Sequence, residues 1–225
     1  MTDSPVSFKR HIRHDLSIDQ QHALLTAATR LHRDFGETFS VDTVERFLHS
    51  AYDQFASHAT VSNFLPLLAE RFARQHLHAL ARVEGKITDA RPTVLFLCTH
   101  NAGRSQMALG FFTHLAGDDA VAWSGGSEPG EAINPSAIQA MAEVGIDITG
   151  EFPKPWTDEI VQAADVVVTM GCGDACPIFP GKRYENWDLP DPAGQSVDAV
   201  RPIRDDIEER VRRLLAELGV DTAHR

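Results

Sequence analysis

Three short, unbroken apolar runs constrain this chain more than any other feature. They are Thr93-Val94-Leu95-Phe96-Leu97, Ala120-Val121-Ala122-Trp123 and Val166-Val167-Val168-Thr169-Met170. A strand that is apolar on both faces needs both faces covered, as in a parallel sheet. Helical patterns separate the runs, at 103–116, 134–144 and 157–163, and a last one follows at 198–218. Asn134 caps the second of these, with Pro135 at its first position. Strands alternating with helices predict an open α/β sheet of the doubly wound type, which takes its ligands at the carboxyl ends of its strands.

The preceding ninety residues follow another grammar, with no cysteine and almost no strand signal. Leu24, Leu25, Ala28, Leu31 and Phe35 recur at helical spacing, and Gly36 ends the run. Ser40 or Asp42 can cap a second helix, with Val44, Phe47, Leu48, Ala51, Tyr52 and Phe55 on one face. Asn63 opens a third, with Pro66 in its first turn and Phe64, Leu67, Leu68, Phe72, Leu77 and Leu80 inward. The expected organisation is a flexible N-terminus over 1–14, a small all-α three-helix domain over 15–84, a linker over 85–92 and the α/β domain over 93–225.

Composition narrows the partners. The net charge is -11 with no compensating Lys/Arg cluster, which argues against nucleic acid and anionic membranes. No stretch approaches the ~20 apolar residues of a membrane span, and residues 1–14 lack the apolar segment of a signal peptide. A cytoplasmic location is expected, where three cysteines suit chemistry better than a disulfide scaffold. His11, His14, His22, His32, His49, His58, His76 and His78 crowd the first half. No two of them stand at i, i+4 with a carboxylate, so they read as solvated or core residues and no metal site is expected.

The loop after the first apolar run carries the chemistry. Cys98-Thr99-His100-Asn101-Ala102-Gly103-Arg104-Ser105 places a cysteine at a strand end and an arginine six residues later, where a helix begins. Successive backbone N–H groups in such a loop form a nest for a tetrahedral oxyanion, and the helix adds its positive end. Arg104 supplies a planar fork for two oxygens. Ala102 and Gly103 allow close backbone approach, Ser105 can donate to the sulfur, and Asn101 can brace the loop. The donors that hold an anion also favour Cys98 as a thiolate nucleophile.

Displacement at a bound oxyanion needs an acid for the leaving oxygen. Asp191, fixed between Pro190 and Pro192, is the candidate, with Asp188 as the alternative. A further pair, Cys172 and Cys176, lies in the glycine-rich segment after the third run, at the same sheet edge as Cys98. This offers a relay: Cys172 attacks an adduct on Cys98, and Cys176 resolves the disulfide. Zinc would want four ligands, which three cysteines do not supply.

VLFLCTHNAGRSQMA, the SGGS at 124–127, VTMGCGDACP and WDLPDPAG together resemble arsenate reductases built on the low-molecular-weight protein tyrosine phosphatase fold. The resemblance covers residues 93–218, and residues 1–90 look like a helical domain carried by some actinobacterial-type members. It implies a four-stranded parallel sheet flanked by helices. It also implies arsenate bound by residues 99–105, attack by Cys98, protonation by Asp191, and successive Cys98–Cys172 and Cys172–Cys176 disulfides. Three-cysteine relatives are thioredoxin-coupled homodimers with no bound cofactor, and single-cysteine relatives use a low-molecular-weight thiol. Some members bind potassium through an acidic residue that here is Leu109, so no potassium site carries over. The Cys172–Cys176 spacing is also closer than in some thioredoxin-coupled relatives.

Two other readings use the same residues. A phosphomonoesterase or phosphotyrosine phosphatase would employ Cys98, Arg104 and Asp191 with water as second nucleophile, and would want aromatic walls, for which Trp123, Trp156 and Trp187 are candidates. A redox sensor would use the thiols as a switch, but has no need of a nucleophile and an acid together.

Overall fold

The structure, a computed structural model, describes residues 15–56, 64–171 and 178–221. Cys172, Cys176 and Asn63 lie outside them. The chain divides into two compact units between Ile87 and Thr88.

The first unit has three helices: α1 (Ile18–Phe35), α2 (Val41–Ala56) and α3 (Leu65–Val83). Ser17 caps α1 through a reciprocal box in which its hydroxyl accepts from Gln20 N and Gln20 Oε1 accepts from Ser17 N. Ser40, rather than Asp42, caps α2, accepting from Thr43 N at 3.2 Å. Pro66 sits in the first turn of α3, where its missing N–H costs nothing. Leu24, Ala27, Leu31, Val44, Leu48, Tyr52, Phe72 and Leu77 form the core. Two expected inward residues, Phe64 and Leu67, are instead exposed, as is Leu25 of the α1 pattern. On α3 Ala69 and Ala73 are fully buried together with Phe72 and Leu77, and Leu67 falls outside that face.

A buried carboxylate locks α1 to α3. Glu70 receives two N–H groups of Arg30, and Arg74 bridges from Glu70 to Asp34. Bidentate arginine contacts satisfy Glu70 where water does not reach. His76 packs against Phe72 at 4.3 Å, a core role for one of the histidines.

The second unit contains β1 (Thr93–Cys98), α4 (Arg104–Ala116), β2 (Val121–Gly126), α5 (Pro135–Ala142), α6 (Asp158–Ala163), β3 (Val166–Met170), β4 (Arg183–Asn186) and α7 (Val197–Glu217). The sheet is fully parallel, in the order β2-β1-β3-β4. Val94, Phe96 and Cys98 of β1 join Val166, Val168 and Met170 of β3 in one core with residues of α4, α5 and α7. Leu95 and Leu97 are buried on the opposite face, the period-two division of a strand covered on both sides. β4 is a polar edge strand, Arg-Tyr-Glu-Asn, paired among the described residues only with β3.

This order puts the topological switch between β1 and β3: the chain leaves β1 toward β2 on one side and returns to β3 on the other. The crevice beyond those carboxyl ends is where the doubly wound architecture places ligands. In register, Cys98 lies opposite Gly126 and Met170. No described helix is long and apolar enough to cross a membrane.

Candidate active site

Cys98 is the last residue of β1 and is buried, with its sulfur at the start of the loop that leads into α4. The carbonyls of this loop point outward. Thr99 O accepts from Glu128 N, His100 O from Gly130 N and Ala102 O from Asn134 N. Asn101 O accepts from Gln106 Nε2, and Gly103 O from Gln106 N and Met107 N. Among the described residues no amide of 99–105 donates to a backbone carbonyl outside regular elements. A loop whose carbonyls are all engaged outward leaves its N–H groups for an anion on the inner side.

Asn101 is the hub of this arrangement. It is fully buried and has a φ of 47°, the left-handed region that few residues other than glycine adopt. Its side chain compensates. Oδ1 accepts from Gln106 Nε2 and from Lys154 N, both at 3.0 Å, and Nδ2 donates to Ser105 Oγ at 2.8 Å. Ser105 Oγ already has that donor, so its own hydrogen is available to Cys98 Sγ, 3.0 Å away. The brace expected of Asn101 and the contact expected of Ser105 are both present; Gln106 and the backbone of Lys154, which complete the network, were not among the expected residues.

Arg104 opens α4 and is buried, with Nη1 donating to Leu189 O at 3.3 Å and Nη2 lying 3.4 Å from Asp191 Oδ2. The Asp191 side chain is 54% exposed, so this ion pair is a weak contact that an arriving oxyanion can displace. Asp191 Oδ1 accepts from Ala193 N at 3.1 Å, an Asx turn that fixes the carboxyl at the loop's mouth. Asn134 ties this loop down by donating to Pro192 O at 2.8 Å. Asp188 is exposed and does not line the cleft.

The cleft has a volume of about 580 Å³ and is bounded by Cys98, His100, Arg104, Ile133, Asn134 and Asp191 among others. Trp123, Trp156 and Trp187 are not in its wall, and Trp123 and Trp187 are core residues. His100 Nδ1 lies 2.9 Å from Glu128 O; a carbonyl can only accept, so Nδ1 carries the proton.

Two glycines permit the loop's approach to its neighbours. A Cβ on Gly126 would lie 2.6 Å from Thr99 O and 3.0 Å from Asn101 N, both backbone atoms. Gly171 has a φ of 76°, and a Cβ there would meet Arg104 Nη1 at 2.8 Å. Its carbonyl accepts from Thr99 Oγ1 at 2.9 Å, so the chain leaving β3 runs along the loop's edge. Gly126→Ala is therefore expected to push the loop off its template. It should cost about 1–3 kcal/mol of stability and at least ~10-fold in phosphate affinity, measured by thermal melting and calorimetry. Gly150→Ala, which meets nothing within 4 Å, is the control that leaves phosphate affinity unchanged.

Known proteins share this construction. Residues 93–224 match the low molecular weight phosphotyrosine protein phosphatase family, and residues 24–81 match the N-terminal domain of protein-tyrosine-phosphatase-like proteins. A thioredoxin-dependent arsenate reductase of Corynebacterium glutamicum is similar over 88% of this chain and 97% of its own, at 39% identity and a TM-score of 0.79. An arsenate reductase of Staphylococcus epidermidis is 40% identical over 125 residues, 54% of this chain and 94% of that protein. A low molecular weight protein tyrosine phosphatase from T. tengcongensis, at 24% identity and a TM-score of 0.51, shares the fold over 56% of this chain. With Cys98 and Arg104 lining one cleft at the two ends of their loop, and this match running the length of the α/β unit, the chain belongs to the low molecular weight phosphotyrosine protein phosphatase family.

Proposed function

We propose that this protein is an arsenate reductase that works by a three-cysteine relay and is regenerated by thioredoxin. The observation that carries the reading is Gly171. This residue precedes Cys172, and it lies against both the Thr99 hydroxyl and the Arg104 guanidinium. A second thiol therefore follows a residue tethered to the nucleophile's own loop. Kinship with the thioredoxin-dependent reductase over nearly the whole chain supports the same reading.

In the proposed sequence arsenate enters the loop, held by the amides of 99–105 and by Arg104. Cys98 Sγ bonds to arsenic, and a hydroxide leaves as water with a proton from Asp191. Cys172 thiolate then attacks Cys98 Sγ. The S–As bond breaks, its electron pair stays on arsenic, and As(V) becomes As(III), which departs as arsenite. Cys176 attacks Cys172, which frees Cys98 and leaves a Cys172–Cys176 disulfide for thioredoxin. No bound cofactor takes part. The cleft also supports reduction over phenyl phosphate hydrolysis, because none of the three tryptophans walls it.

The test is arsenate-dependent oxidation of NADPH with thioredoxin and thioredoxin reductase, with arsenite counted chromatographically. One arsenite per NADPH is expected. Efficient hydrolysis of p-nitrophenyl phosphate without arsenite formation would instead make the protein a phosphatase, and turnover only with a low-molecular-weight thiol would replace thioredoxin as reductant. For the helical unit we propose self-association through its exposed Ile18, Leu25, Phe64 and Leu67. Leu25→Glu with Leu67→Glu should then yield a monomer by light scattering; an unchanged mass would rule this surface out.

A further inference from the structure

Ile178 stands in solvent two residues after Cys176. It is 82% exposed, and among the described residues of the α/β unit the only other exposed large apolar side chain is Val144, at 40%. Pro177-Ile178-Phe179-Pro180-Gly181 is an uncharged, largely apolar stretch between Asp174 and Lys182, in a chain of net charge -11. The backbone beside Ile178 is held: Phe179 N donates to Tyr184 Oη at 2.8 Å, and Tyr184 belongs to β4. The isoleucine is thus presented next to a residue pinned to the sheet.

A lone apolar residue on a surface is ordinary, so exposure by itself assigns nothing. Chain connectivity adds the second observation. Two residues of backbone span at most about 7 Å, so Ile178 stays within that reach of Cys176 in any conformation of the chain between them. A protein that reduces a Cys172–Cys176 disulfide must bring its own sulfur against one of the pair. Even a weak redox encounter covers on the order of 500 Å² on each partner, a disc roughly 12 Å in radius. Ile178 falls inside that footprint. A small thiol has no such footprint.

We infer that Ile178 is a docking residue for the protein reductant: it enters an apolar rim around the partner's reactive cysteine and is covered there while the disulfide is exchanged. The inference rests on the relay and on the thioredoxin reading above. In the exchange a partner thiolate bonds to one sulfur of Cys172–Cys176. The S–S bond breaks, and its electron pair leaves on the other sulfur, which takes a proton. The partner's second thiolate then attacks the partner sulfur of the mixed disulfide. Both cysteines of this chain end as thiols, and the partner as a disulfide. Contact through an uncharged stretch keeps the carboxylates of this acidic chain out of the interface centre, where an unpaired charge is costly.

The experiment measures turnover of full-length protein at saturating arsenate. Thioredoxin is varied over its reductase and NADPH in one arm, and dithiothreitol is the only reductant in the other. Ile178→Asp and Ile178→Lys should each raise the KM for thioredoxin by at least ~10-fold, and Ile178→Leu should stay close to wild type. Dithiothreitol-driven turnover, melting temperature and mass by light scattering should be unchanged in all three, and Val144→Asp should keep the wild-type KM for thioredoxin. An unchanged KM for thioredoxin in both charged variants would overturn the inference. So would changes of opposite sign in Ile178→Asp and Ile178→Lys, which would mean charge steering; an equal loss with dithiothreitol, which would mean that Ile178 shapes the cysteine pair; or a fall in mass, which would mean that a second copy of this chain covers it. Wild-type protein that forms no arsenite with either reductant would overturn the reductase reading instead, and turnover with dithiothreitol alone would overturn the thioredoxin reading. Should Ile178→Asp melt too low to assay, Ile178→Lys against Ile178→Leu still decides.

Discussion

Cys98→Ser should leave a folded protein with no measurable arsenate turnover, a loss of at least ~10⁴-fold. The substitution removes little volume at a buried position next to Ser105, and its hydroxyl can keep the contact at 3.0 Å, so stability should change by no more than about 1 kcal/mol. What disappears is chemical. Reduction of As(V) needs an atom that first bonds to arsenic and then yields it to a thiol by forming a disulfide, and oxygen cannot do the second. The variant should still bind phosphate, since the amides and Arg104 are untouched. Loss of both turnover and phosphate binding would mean that the sulfur builds the loop rather than reacting in it.

Arg104→Lys should be almost as damaging while retaining the positive charge. The guanidinium meets Leu189 O and Asp191 Oδ2 and stands at the N-terminus of α4, where the oxyanion is proposed to bind. A lysine ammonium is a point charge and cannot meet a carbonyl and two anion oxygens in one plane. We expect kcat/KM for arsenate to fall on the order of 10²- to 10³-fold, mainly through KM, with phosphate affinity falling in parallel. The lost hydrogen bond to Leu189 O should cost about 1 kcal/mol in the melt. A variant with normal KM would show that the loop amides alone hold the oxyanion.

These two residues were legible in the sequence for the same reason. Their spacing is dictated by local geometry: a strand end, a five-residue nest and a helix start leave little freedom, so Cys98 and Arg104 announce each other. The strands β1 and β3 and the cap at Asn134 were legible in the same way, because each is set by its own few residues, and Ser40 was one of two candidates for its helix. β4 was not, since Arg183-Tyr184-Glu185-Asn186 has the polar composition of a loop; it becomes a strand because β3 offers an open edge, and only the family resemblance led to a fourth strand. Gln106 and Lys154 were missed for a related reason. Each looks like an ordinary polar residue, and each acquires its place from partners 46 and 53 positions away, Phe152 and Asn101. Phe64 and Leu67 were assigned inward on hydrophobicity, yet both are exposed while Ala69 and Ala73 of the same helix are fully buried beside Phe72 and Leu77.

The relay itself is the claim with most at stake, and stoichiometric disulfide mapping tests it directly. Fully reduced protein is mixed with one equivalent of arsenate in the absence of any other thiol, quenched by alkylation and digested. One equivalent of arsenite, an alkylated Cys98 and a Cys172–Cys176 disulfide are expected in wild type, and a trapped Cys98–Cys172 disulfide in Cys176→Ser. Three alkylated thiols with no arsenite released until an external thiol is added would contradict it.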